Sequence, residues 1–212
     1  MSVFRFDALT PQERYKMLCA AVIPRPVAWI TSRDPNGVVN AAPFSFFNVF
    51  SEDPALVIIG MNRRPGGERK DTLNNIETAG EFTVNIADSA LAEIMVATAA
   101  GFPPEISEPE VLGLKLAPGE TVSIPRLADA PVSLECALFE ARALGPERHL
   151  VIGEVRALCA RPGLFENDRK RMSVPHFDPV ARLFATGYAK LSDPYDLPIP
   201  DWQSLSAKED RG

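Results

Sequence analysis

The chain has 212 residues, enough to bury a core without disulfides or structural metal, and it is 46% hydrophobic and 24% charged, as globular domains are. Its 28 acidic and 22 basic side chains give a net charge of −6, which excludes a broad positive field for nucleic acid or anionic lipid. Cys19, Cys136 and Cys159 are odd in number, far apart and set in apolar runs, so they read as reduced core thiols rather than a disulfide framework. No apolar run reaches the ~18 residues of a membrane span. Arg5 and Asp7 stand where a signal peptide needs its apolar stretch, so a cytoplasmic protein with no membrane partner is expected.

Thr10-Pro11-Gln12-Glu13 carries a capping hydroxyl, a proline at the first helical position and a glutamate three after the cap, predicting a helix over about 10–20. The prolines of Ile23-Pro24-Arg25-Pro26 force an extended segment. Val27 to Ser32 and Val38 to Ala42, joined by Asp34-Pro35-Asn36-Gly37, form a hairpin, with Pro43 expected to interrupt the pairing. Ala55 to Met61 is a short apolar strand, and Asn62 to Arg69 a loop. Asp71 or Thr72 is expected to cap a helix that stops at Gly80, before a strand from Glu81 to Ala87. Asp88 is expected to cap a third helix reaching Ala100.

Five prolines between Pro103 and Pro125 make the next stretch mostly loop, long enough to suggest a functional or partner-covering role. Val132 to Leu138 and His149 to Leu158 make a second hairpin around Gly145-Pro146. The segment 194–212 is rich in proline and charge and reads as a surface arm. Short strands with helices inserted between them, lacking strict alternation, describe a mainly β fold with peripheral helices, a barrel in one domain spanning 1–212.

The sequence lacks Gly-x-Ser-x-Gly, Cys-x-x-Cys, His-Glu-x-x-His and Gly-x-Gly-x-x-Gly, and two histidines make a metal site a poor expectation. Two segments do carry chemistry. Arg63, Arg64, Gly66, Gly67, Arg69 and Lys70 precede a helix start whose free N–H groups and dipole favour an anion, although a solvated basic loop is an equal reading of that segment alone. Asn40 to Asn48 joins small residues, Ser45 and three aromatics, suited to a flat heteroaromatic ring or, alternatively, to an aromatic core cluster.

Pro24 to Thr31, Asn40 to Ser45, Lys70 to Ile76 and Glu81 to Asn85, in this order and spacing, resemble the flavin-reductase-like FMN-binding split-barrel family. The resemblance is strong from Ile23 to Ala87, looser from Pro131 to Val155, and faint around Gly187-Tyr188. It implies a split β-barrel of Greek-key type that forms a homodimer, with FMN near the interface and NADH or NADPH as electron donor. It implies that Trp29, Ile30 and Thr31 line the flavin and ribityl chain, that Ala42, Ser45 and Phe46 meet the isoalloxazine, and that Arg63, Lys70 and Thr72 hold the phosphate. Some relatives place a histidine near the nicotinamide; here Gly145-Pro146-Glu147-Arg148-His149 replaces the compact Gly-x-His pattern, and a strand-end surface histidine is the competing reading of His149. His176 fits either a lid over the flavin or an exposed loop side chain, and Phe184 and Tyr188 fit either an aromatic segment near the cofactor or partner subunit or ordinary core packing. The activity implied is an NAD(P)H-dependent flavin reductase; a flavoredoxin-like electron carrier, a pyridoxamine-phosphate-oxidase-like enzyme and a non-catalytic ligand-binding module are the alternatives.

Overall fold

The computed structural model describes residues 1–64, 66–166, 171–172, 177–191 and 195–203. Seven strands dominate it: β1 (Ala28–Arg33), β2 (Val39–Phe44), β3 (Phe47–Glu52), β4 (Ala55–Asn62), β5 (Glu81–Ile86), β6 (Val132–Ala143) and β7 (Arg148–Ala160). They form one sheet in the order β2-β1-β5-β6-β7-β4-β3, every neighbouring pair antiparallel. Its two edge strands, β2 and β3, are separated in the chain by Ser45 and Phe46 alone. Two residues span only about 7 Å, so the sheet must curl until its edges come together. The Gly60 N–H of β4 donates to the Phe46 carbonyl at 2.7 Å, carrying the β3–β4 ladder one step into this junction.

The core confirms the curl. Ala28, Ile30, Phe44, Phe47, Ile59, Phe82, Cys136 and Val151, drawn from all seven strands, pack in one buried cluster. A flat sheet would spread them apart. Leu73 and Ile76 of α2 (Asp71–Ala79) join the same cluster, so this helix closes the barrel interior. Burying a residue such as Phe82 completely is worth about 1.5–3 kcal/mol. A second cluster, containing Val27, Trp29, Ala41, Met95 and Val180, lies on the other face of β1 and β2.

The helix α1 (Pro11–Ala21) begins with the expected capping box, Glu13 accepting from the Thr10 N–H at 2.8 Å. Arg25 anchors its other end. The buried guanidinium donates to the carbonyls of Cys19 at 2.7 Å, Val22 at 2.6 Å and Leu183 at 2.6 Å, tying α1 to the segment following the strand Val180–Arg182. That strand pairs with Arg25–Pro26 and with Tyr188–Lys190.

Three local expectations are corrected. β2 continues through Pro43 to Phe44, because on an edge strand a missing N–H costs no ladder bond. The residue at the start of α2 is Lys70, without a side-chain cap, since Asp71 pairs with Arg64 instead. Asp88 likewise caps nothing: its carboxylate takes Arg161 at 3.2 Å, and the expected long helix is a 3-10 turn, Ser89–Leu91, followed by α3 (Ala92–Ala97). The proline-rich stretch contains α4 (Glu108–Val111) and a small pairing of Leu116–Ala117 with Arg126–Leu127. Of the expected C-terminal arm, Tyr195, Leu197, Ile199 and Trp202 are exposed. No helix of the described residues is long and apolar enough to cross a membrane.

Candidate functional site

The barrel junction opens onto a cleft of about 770 Å³. Pro43, Phe44, Ser45 and Phe46 form its floor, α1 contributes Tyr15 and Cys19, and Arg182 to Tyr188 supply much of the opposite wall. A Cβ on Gly60 would come within 3.0 Å of Phe46 Cβ, so only glycine lets the Phe46 side chain lie over β4 here. Tyr15 packs on Phe46 with ring centroids 6.0 Å apart.

A smaller cavity of about 330 Å³ adjoins the cleft, lined in part by Asn40, Ala42, Arg64, Thr72 and Glu108. The two share Pro43, Lys70 and Ala99, so they adjoin, with Lys70 where they meet. Its ammonium lies 5.3 Å from the centre of the Phe44 ring and has no carboxylate partner among the described residues. Burial, and then the charge of Arg64, hold it below the usual lysine range. The start of α2 adjoins it, where the Asp71 and Thr72 N–H groups have no acceptor in the helix and the dipole is positive.

A buried polar network shapes this smaller cavity. The Thr72 hydroxyl donates to Asn40 Oδ1 at 2.8 Å, and Asn40 Nδ2 donates to Glu108 at 2.7 Å. The second Glu108 oxygen accepts the Ala41 N–H at 3.0 Å. Burial pushes the Glu108 carboxyl above its ordinary range, while these donors oppose the rise. An acid from the proline-rich excursion therefore fixes the orientation of an amide on β2, and the amide fixes a hydroxyl on α2.

The structure gathers Ala42, Ser45, Phe46, Lys70 and Thr72 around these adjoining cavities, together with Phe184 and Tyr188. Five other expected residues do not line them. Trp29, Ile30 and Thr31 are wholly buried because β1 is covered on both faces. The Trp29 indole donates to Thr98 at 3.0 Å, behind the cavity wall, and Thr31 donates to the Pro125 carbonyl at 2.7 Å. Arg63 donates to the carbonyls of Pro146 at 2.7 Å and Gly67 at 2.8 Å, bracing the loop, while Arg64 lines the cavity.

His149 shares its strand face with the inward Val151 and is buried, so strand alternation turns the neighbouring Arg148 to the cleft. That parity was readable from Val151. Glu108, Arg182 and Tyr15 carried no sequence signal beyond the suspicion attached to the proline-rich stretch. His176 lies outside the described residues. Among the described residues no group of three or more His, Cys, Asp or Glu is arranged to hold a metal.

The curled antiparallel barrel is that of the split-barrel flavin-reductase-like proteins, and its family is one of flavin-related oxidoreductases. Residues 20–175 match the model of the flavin reductase like domain, and the chain belongs to that family. It is 36% identical to the nitrilotriacetate monooxygenase component B of Bacillus cereus, at a TM-score of 0.88 over 93% of this chain and 98% of that one. It is also 36% identical to the 2-nitrobenzoate 2-nitroreductase of Pseudomonas fluorescens, at a TM-score of 0.86 over 94% and 96% of the two chains. An uncharacterized protein of Halalkalibacterium halodurans is 37% identical over 92% of this chain and 94% of its own.

The network makes a direct prediction. Glu108→Ala strands two buried donors, Asn40 Nδ2 and the Ala41 N–H, at about 1–3 kcal/mol each. A urea midpoint indistinguishable from that of the parent would remove Glu108 from this role.

Proposed function

We propose that the chain binds FMN in the adjoining cavities and works as an NAD(P)H-dependent flavin reductase that passes electrons to a small-molecule acceptor. The observation carrying this reading is the Lys70 ammonium, without a carboxylate partner among the described residues, where an aromatic-floored cleft meets a cavity beside a helix start. A flat ring suits the first and a phosphate monoester the second. The donor set fits the group: Lys70, Arg64 and the α2 N–H groups would hold the phosphate, and Pro43 to Phe46 would carry the ring.

FMN, when bound, supplies the hydride and single-electron chemistry. The chain's part is positional: Phe44 and Phe46 exclude water from one ring face, and Asn40, oriented by Glu108, sets the Thr72 hydroxyl. The reading includes a homodimer. Val49 and Phe50 on β3, Phe139 on β6 and Leu158 on β7 are exposed apolar side chains that a second copy would cover.

Four measurements test this. Lys70→Met should weaken FMN binding by about 1.5–3 kcal/mol, the worth of a charge-assisted hydrogen bond. Because Lys70 must be charged to hold phosphate and its pKa is lowered, the parent's FMN affinity should begin to fall at a pH below the usual lysine range; a flat profile there, or an unaffected Lys70→Met, refutes the phosphate role.

Anaerobic NADH or NADPH should bleach the flavin of the loaded protein. Persistent yellow with both donors would leave an electron carrier reduced by another protein. Light scattering should return twice the 23.1 kDa chain mass, and a monomer would sink the dimer.

A further inference from the structure

The large cleft carries more positive charge than one phosphate monoester engages. Its described lining includes Lys16, Arg25, Lys70, Arg148 and Arg182 and no aspartate or glutamate, on a chain whose net charge is −6. Arg25 is committed to three backbone carbonyls, and Lys70 stands at the inner joint. Lys16, Arg148 and Arg182 remain; one Arg182 donor is taken by the Ala185 carbonyl, and neither arginine has a carboxylate partner among the described residues.

Both arginines are held on aromatic faces. The Arg148 guanidinium lies 4.8 Å from the centre of the Phe46 ring, and that of Arg182 lies 4.6 Å from the centre of Tyr188. A guanidinium stacked this way fixes its plane while keeping donors on its edge for a carboxylate. Their charges converge on Tyr15: burial and the neighbouring Cys19 push its phenol up, and Arg148 and Arg182 pull it back. Tyr15 in turn packs on Phe46, so a flat wall, a hydroxyl and two cations face one space.

We infer that this outer part of the cleft is a second ligand site, built for a planar aromatic carboxylate whose ring lies against Tyr15 and whose carboxylate meets Arg148 and Arg182. The cations sit on the aromatic wall itself, so they suit an anion one bond away from a flat ring. A dinucleotide carries its phosphates a whole ribose away from its nicotinamide and suits them less well. The inference rests on FMN occupying the inner part.

The test titrates FMN-loaded protein with benzoate, benzamide and ADP-ribose, reading heat by calorimetry and flavin absorbance in parallel. Benzoate should bind at least about tenfold tighter than benzamide and perturb the flavin band saturably, because benzamide lacks the charge. Arg148→Met, and independently Arg182→Met, should lower benzoate affinity about tenfold while leaving benzamide affinity in place.

Equal affinity for benzoate and benzamide overturns the inference, as does benzoate affinity that neither variant changes. Tight, Arg148-dependent ADP-ribose binding without benzoate binding also overturns it, in favour of a dinucleotide. FMN content and melting temperature, recorded for each variant, separate a lost site from a lost fold. A protein that takes up no FMN refutes the flavin reading instead, and the benzoate and benzamide heats on that protein still decide whether the anion site exists.

Discussion

Everything distinctive about this molecule follows from the brevity of one connection. The two edge strands of a seven-stranded sheet are joined by Ser45 and Phe46 alone, which obliges the sheet to roll up and brings its ends together without a continuous ladder between them. The interior closes around Phe82, Ile59 and Val151, while the outer side of the junction stays open as a cleft. Backbone at a sheet edge keeps unpaired polar groups, and the β3–β4 ladder ends at this seam with the bond from Gly60 to Phe46. Binding chemistry therefore sits where the sheet's own hydrogen bonding runs out.

Charge is sorted along that opening against the balance of the whole chain. A net acidic protein keeps every carboxylate out of the described lining of its large cleft and admits acids only to the smaller cavity, where Asp71 engages Arg64 and Glu108 engages Asn40. Lys70 is left as the cation without a carboxylate at the meeting point. Its lowered pKa is the cost of holding a charge partly out of water with Arg64 nearby, and an anion beside it would relieve that cost.

How much of this the sequence disclosed depended on range. Alternation and turn chemistry located both hairpins, the capping box located α1, and the spacing of Asn40 to Ser45 and Lys70 to Ile76 pointed to segments that line the adjoining cavities. Where side chains point escapes local reading for physical reasons. Trp29, Ile30 and Thr31 sit on a strand covered on both faces, which no periodicity reveals when every position is apolar or small.

Arg63 and Arg64 are adjacent in a loop, where no periodic rule says which one turns inward. Asp71 and Asp88 resemble caps locally, yet each was claimed by an arginine, Asp71 by nearby Arg64 and Asp88 by distant Arg161. Glu108 reaches the site across 68 positions to Asn40, a contact that only tertiary folding creates.

Arg25 has a mechanical side. One buried guanidinium holds the carbonyls of Cys19 and Val22, at the end of α1, and that of Leu183 in the facing segment. Each such bond is worth about 1.5–3 kcal/mol when the donor is charged, so the two flanks of the cleft are pinned at a common pivot. Tyr15 on one flank and Tyr188 on the other thus stand on segments that a single side chain ties together.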